Sequence, residues 1–164
     1  MKKIFLTIAI FSTCYIQSQS DRDRKFAREV AEDGLMEIKL GELAQSKGTI
    51  AEVKTLGSHM ITDHTKANNE LRSLAIKKNI PLPTALSDKG QKTYEKLSKK
   101  EGKKFDKCYT RMMVKDHKKE ICKFKKQAKK GEDAELRSWA STTIPTLEHH
   151  KEMSKEACRS MKKS

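Results

Sequence analysis

The chain has little that would interrupt a helix. Its 164 residues include only three prolines and seven glycines, and aromatic residues make up 5%. Runs of alternating β-branched residues are missing, which argues against a sheet. Good helix formers (Lys, Glu, Ala, Leu, Met) fill the sequence instead. No C-x-x-C pair, zinc-finger spacing, glycine-rich nucleotide loop or nucleophile–base constellation occurs. These absences favour a binding or structural protein over an enzyme, with a redox or hydrolytic metalloenzyme as the less favoured reading. Past the first twenty residues, no apolar run is long enough to cross a bilayer. At this length the chain makes one domain with a real core.

The first twenty residues differ from the rest. Lys2 and Lys3 precede an apolar run from Ile4 to Phe11, and a polar stretch ends at Ser18-Gln19-Ser20. This is the pattern of a secretory signal cut near Ser20, leaving residues 21–164 as the folded domain. Cys14 raises the question of lipidation, but Phe11-Ser12-Thr13-Cys14 is a poor lipobox. The expectation is an exported protein, periplasmic or peripheral to the outer membrane.

Charge is unevenly spread. Residues 89–130 carry seventeen Lys or Arg against five Asp or Glu, while the rest of the exported chain balances to zero. Such a face is either a solubilising surface or a contact for anionic lipid or lipopolysaccharide. Stacking aromatics are not interleaved as nucleic-acid binding requires, so no nucleic-acid partner is expected. The oligomeric state is left open.

Four long helical patterns follow in order. The first, from about Asp21 to Ser46, carries a stripe of small residues around one carboxylate: Ala27, Val30, Gly34, Glu37, Gly41 and Ala44. The second begins with an expected capping box of Thr49 and Glu52. Its seam reads Val53, Gly57, Met60, His64, Ala67, Leu71 and Leu74, the inward stripe of a bundle helix. A long connection then holds Ile80-Pro81-Leu82-Pro83 and a short helix capped by Ser87 and closed by Gly102. The third pattern runs from about Lys104 to Lys130 with Phe105, Tyr109, Met113, His117, Ile121, Phe124 and Ala128 on its seam. The fourth starts near Asp133 and places His150 on its seam, with Pro145 inside the pattern as an expected kink. Glycines 48 and 131 stop the first and third helices. The spacing predicts an all-α four-helix bundle, with a long crossover containing a short helix between the second and third long helices.

Two near-copies, Met60-Ile61-Thr62-Asp63-His64 and Met113-Val114-Lys115-Asp116-His117, set the functional expectation. In each, the histidine lies on the seam and the aspartate is rotated by about 100°. Counted from the tight turns, Glu37 is eleven residues before Gly48 and His64 sixteen after it; His117 is fourteen before Gly131 and His150 nineteen after. Glu37, His64, His117 and His150 therefore converge at mid-bundle if the loops absorb the offset. Imidazole and carboxylate suit a single transition metal ion: Zn, Fe, Mn or Cu. Asp63 and Asp116 lie beside two of the histidines and are placed to orient them. The alternative is that each histidine is a hydrogen-bonded core residue. Export also leaves Cys108, Cys122 and Cys158; the first and third fall near one end of the second hairpin, so Cys108–Cys158 is the expected disulfide.

Several stretches carry a family likeness. They are Gly34-Leu35-Met36-Glu37-Ile38-Lys39-Leu40-Gly41, the two M-x-x-D-H copies, Leu82-Pro83-Thr84-Ala85-Leu86, Phe105-Asp106 and Ile144-Pro145-Thr146-Leu147 with His150. On these the chain resembles the bacterial domain-of-unknown-function 4142 family of exported or outer-membrane proteins, over roughly residues 22–155. The resemblance implies a ferritin-like helical bundle and supplies no activity. Paired Glu-x-x-His motifs mark di-iron bundles of that architecture. Here Ile61, Val114 and Leu147 stand where those glutamates belong, which favours a single metal or none over a di-iron centre. Two readings stay open. One is an exported envelope protein that binds a transition metal, with a role in metal or stress handling. The other is a non-catalytic envelope protein whose basic face docks on anionic surfaces, its histidines purely structural.

Overall fold

The computed structural model describes residues 20–161, so the expected signal peptide of residues 1–20, Cys14 included, lies outside them except for Ser20. Five helices follow: α1 (Asp21–Lys47), α2 (Ala51–Lys77), α3 (Asp88–Ser98), α4 (Gly102–Lys130) and α5 (Ala134–Ser160). There is no strand among the described residues. The two hairpins α1–α2 and α4–α5 pack so that α1 lies against α4 and α2 against α5. This is the expected four-helix bundle, with α3 as the short helix of the crossover.

Local chemistry fixes the ends. Asn79 takes the left-handed conformation at φ 52°. With it, Ile80 N–H donates to the Ala75 carbonyl at 2.9 Å and Asn79 N–H to that of Ile76 at 3.2 Å. This is a Schellman ending for α2, sealed by buried Ile80. Ser20 and Ser87 cap α1 and α3 by accepting from the N–H groups of Asp23 and Gly90, both at 3.2 Å. Two starts differ from the sequence reading. The expected Thr49–Glu52 capping box does not form, because α2 begins after Ile50 with no side-chain cap. Thr49 instead donates its N–H at 3.1 Å, and its hydroxyl, to the carboxylate of Asp106 on α4. Gly102 does not close α3 but opens α4, at φ 56°.

Gly48 and Gly131 sit where expected, for a different reason. Both have negative φ, −57° and −61°, so left-handed freedom is not used. A Cβ on Gly48 would lie 2.5 Å from the Ala44 carbonyl oxygen, and one on Gly131 would strike the Gln127 side chain at 2.3 Å. Close approach also explains the small stripe of α1. A Cβ on Gly41 would be 2.8 Å from the Gly57 carbonyl oxygen, and one on Gly57 2.8 Å from that of Gly41.

The core divides into two apolar clusters. One, toward the α4–α5 turn, contains Phe26, Leu71, Phe124, Leu136, Trp139 and Leu147. The other, toward the α1–α2 turn, contains Leu40, Leu56, Met60, Phe105, Tyr109 and Met113. The histidine positions fall between them. α5 runs unbroken through Pro145. The cysteines correct a further expectation: Cys108, Cys122 and Cys158 are all free. Cys108 lines the groove beside Lys92 and Lys96 of α3, whereas Cys158 lines a different one with Thr49 and Asp106. The two thiols thus open onto different grooves of the bundle.

Candidate metal centre

The predicted residues meet. Glu37 Oε2 lies 3.1 Å from His64 Nε2, and Glu37 Oε1 lies 3.3 Å from His117 Nδ1. His117 Nε2 is 3.2 Å from His150 Nδ1. All four residues are buried. The offset seen in the sequence has a simple resolution. Glu37 is ten residues before the last of α1 and His64 thirteen after the first of α2; His117 and His150 stand at thirteen and sixteen in the second hairpin. Each hairpin therefore carries the same three-residue difference, about 4.5 Å along the axes. Side chains lean toward the N-terminus of their own helix, which is away from the turn on α1 and α4 and toward it on α2 and α5. Those leans close both gaps.

Proton placement follows from the partners. His117 Nδ1 lies 3.0 Å from the Met113 carbonyl oxygen, which only accepts, so Nδ1 carries the proton and Nε2 is bare. His150 Nε2 lies 2.8 Å from Asp63 Oδ2, so its proton faces that carboxylate and Nδ1 is bare. Burial, the largest cause in each case, lowers the proton affinity of His64, His117 and His150; neighbouring imidazoles add to it, Asp63 opposes it at His150, and His117 falls to about 3. These rings are neutral at ordinary pH. Two bare nitrogens thus point at one another across 3.2 Å, with nothing to separate their lone pairs.

Two carboxyls complete the layer. Burial holds Glu37 well above the usual carboxylate range, reinforced by Glu120, Asp33 and Asp116. Burial likewise pushes Glu120 up to about 8, with Asp33 adding and Lys123 opposing. Both oxygens of Glu37, Oε2 of Glu120 and Nε2 of His64 are buried without a well-aligned hydrogen bond. Such atoms are costly to bury unless a ligand or ion satisfies them. A cavity of about 170 Å³ between α1 and α4 reaches this edge, lined by Asp33, Met36, Glu37, Met113, Asp116 and Glu120 among others.

Glu120 joins the layer from beside the α4 seam rather than on it. It sits three residues after His117, the reverse of the Glu-x-x-His order, yet the same helical face serves either direction. Of the two aspartates expected beside the histidines, Asp63 orients His150, whereas Asp116 pairs with Lys119 at 3.3 Å and lines the cavity. His64, His117 and His150 offer ligand atoms all within 4.8 Å of one another, as do Glu37, His64, His117 and Glu120. The donor set and its orphaned atoms fit a transition metal ion. Two imidazole nitrogens on a tetrahedral zinc would be about 3.3 Å apart, close to the separation of the facing pair.

Fold and site together define a class: a helical bundle with a buried His/Glu layer, suited to a metal ion, between two apolar clusters. The chain belongs to the DUF4142 family, a domain of unknown function, whose family model matches residues 15–157. No curated protein matches it in sequence. Among solved structures, a DUF305 fragment from Deinococcus radiodurans has a similar fold, with a TM-score of 0.73 and 11% identity. That alignment covers 86% of this chain and 98% of the other. At so low an identity the likeness concerns fold alone. No helix among the described residues is long and apolar enough to cross a membrane.

Proposed function

We propose that the bundle binds one transition metal ion (Zn, Fe, Mn or Cu) through His64, His117 and His150, with Glu37 and Glu120 completing or flanking the set. The facing bare nitrogens of His117 and His150 carry this reading. An ion there would act as a Lewis acid or redox centre, according to its identity. The chain's own contributions are distinct. Met113 and Asp63 fix the two tautomers, the apolar clusters exclude water, and Glu37 and Glu120 supply negative charge once deprotonated. The physiological role supported best is metal or stress handling at the cell envelope, because Lys2, Lys3 and the Ile4–Phe11 run resemble an export signal.

The test is metal analysis of protein purified without chelator or nickel resin, then titrated with Zn²⁺, Fe²⁺ and Cu²⁺. About one tight equivalent is expected, and none in the His64→Ala/His117→Ala double variant that keeps its helical circular dichroism. A stoichiometry near zero after all three additions sinks the reading. N-terminal sequencing of protein recovered from an envelope fraction checks export; a chain still starting at Met1 in the cytoplasm contradicts it.

A second reading rests on the groove between α3 and α4, where Lys89, Lys92, Lys96, Lys100, Arg111 and Lys115 gather beside Leu97 and Met112. This basic face would dock on anionic lipid or lipopolysaccharide, with the histidines serving only the core.

A further inference from the structure

The chain contains five histidines, and all five stand together. His59 and His149 flank His150, with ring centroids 6.5 and 6.4 Å from it and 5.9 Å from each other. Asp63 Oδ2 lies between two imidazoles, 2.8 Å from His150 Nε2 and 3.6 Å from His59 Nδ1. His59, Asp63 and His150 offer ligand atoms within 4.8 Å of one another. Unlike the buried layer, this group reaches solvent: the side chains of His59 and Asp63 are 43% and 31% exposed, and His149 is exposed too. His150 belongs to both sets, presenting Nδ1 to the buried layer and Nε2 to the outer one.

The opposite side of the bundle is built differently. At the α1–α4 cavity, Asp33 is held by Lys123 at 2.6 Å and Asp116 by Lys119 at 3.3 Å. At the mouth of that cavity a cation meets Asp33 and Asp116 already paired with ammonium groups, with Glu37 and Glu120 only behind them. On the α2–α5 side, the partners of Asp63 are imidazoles, which bind metals when neutral.

We infer that His59, Asp63 and His150, with His149 at the rim, form a second and weaker cation site on the α2–α5 face, through which the buried centre fills. The inference rests on the metal reading of the buried layer. An ion first loses part of its water to the exposed His59 and Asp63. While the ion is held at His150 Nε2, the imidazole proton sits on Nδ1 and is donated to the bare His117 Nε2; as the ion passes inward to Nδ1, the proton returns to Nε2, facing Asp63. Both sites draw on one imidazole, so the outer ion is held less tightly once the inner position is filled.

Titration and stopped-flow mixing of the metal-free protein with Zn²⁺, and with Co²⁺ for its visible absorption, test this. The native chain takes one tight and one weaker ion. His59→Ala, a half-exposed position, abolishes the weaker ion, leaves the tight one, and slows its filling by about tenfold, the scale on which ligand-supporting residues act. Asp63→Asn also abolishes the weaker ion, but because Asp63 orients His150 it loosens the tight one as well. His117→Ala removes the tight ion and keeps the weaker. A native chain with one ion only, filling at the same rate in His59→Ala, overturns the outer site while leaving the buried centre intact. A weaker ion sensitive to His59, with no tight one, overturns the buried centre instead. No ion at all removes both.

Discussion

At the scale of single residues, burial decides the ionisation of the His/Glu layer. Metal-free protein should respond to pH accordingly. His117 stays neutral in the fold down to about 3, whereas the unfolded residue takes up a proton near its ordinary 6.5. Between those values the unfolded state binds more protons, so stability falls as pH drops. Glu120 keeps its proton in the fold up to about 8, against an ordinary 4.5. There the folded state binds more protons, so stability falls as pH rises. The two slopes oppose one another between 4.5 and 6.5, and the metal-free protein should melt highest in that window. Thermal melts from pH 4 to 9 check it; a monotonic rise to pH 9 contradicts the burial argument. Saturating Zn²⁺ should remove the alkaline decline, because the cation displaces the Glu120 proton into solvent and the folded carboxylate is then already ionised below about pH 8.

At the scale of elements, the bundle depends on close approach and on two buried aspartates. Gly57→Ala puts a methyl carbon 2.8 Å from a backbone oxygen and 2.9 Å from Ala44 Cβ, neither of which can turn aside. The expected loss is about 1–3 kcal/mol in chemical denaturation, the usual cost of overpacking. An unchanged midpoint would mean that α1 and α2 slide apart freely. Asp23 and Asp106 do matching work at opposite ends. Asp106 accepts from Thr49 at the α1–α2 turn, at 3.1 Å from the backbone N–H. Asp23 accepts from the backbone N–H of Asp133 at 2.7 Å and from Gln127 at 2.7 Å, at the α4–α5 turn. Each hairpin thus caps the turn of the other from its own first helix. Asp23→Ala should cost about 1–3 kcal/mol or more, since buried donors lose their acceptor; a melt within error of native contradicts that role.

At the scale of the whole molecule, charge and site occupy different sides. The basic groove of α3 and α4 lies apart from the α2–α5 face that carries His59 and Asp63. The docking reading therefore predicts vesicle binding that is independent of metal. Vesicles containing phosphatidylglycerol or lipopolysaccharide should retain the protein at low salt and release it at about 0.5 M, where screening is short-ranged. Replacing Lys92, Lys96 and Arg111 with Glu should abolish retention while leaving the metal stoichiometry unchanged. Retention that survives both salt and the triple replacement counts against an electrostatic dock.

Much of this was legible in the chain. Helix periodicity placed Glu37, His64, His117 and His150 on inward seams, because a 3.6-residue period leaves a buried stripe visible in one dimension. The crossover was legible because a long connection with its own capped helix can return the chain to the other end of the bundle. Partners that depend on packing were not. Thr49 read as a cap and became a tie to Asp106, since the competing carboxylate lies 57 residues away. Cys108 and Cys158 share an end of one hairpin but line different grooves, a matter of how α4 and α5 are rotated about their axes rather than of residue count along them. Glu120, His59 and His149 joined the site only when four helices met, because each lies beside a seam rather than on it. The sequence by itself determined which residues turn inward, through periodicity. Only the tertiary structure decided which of them meet, because that depends on axial register, side-chain lean and the phase of each helix against its neighbours.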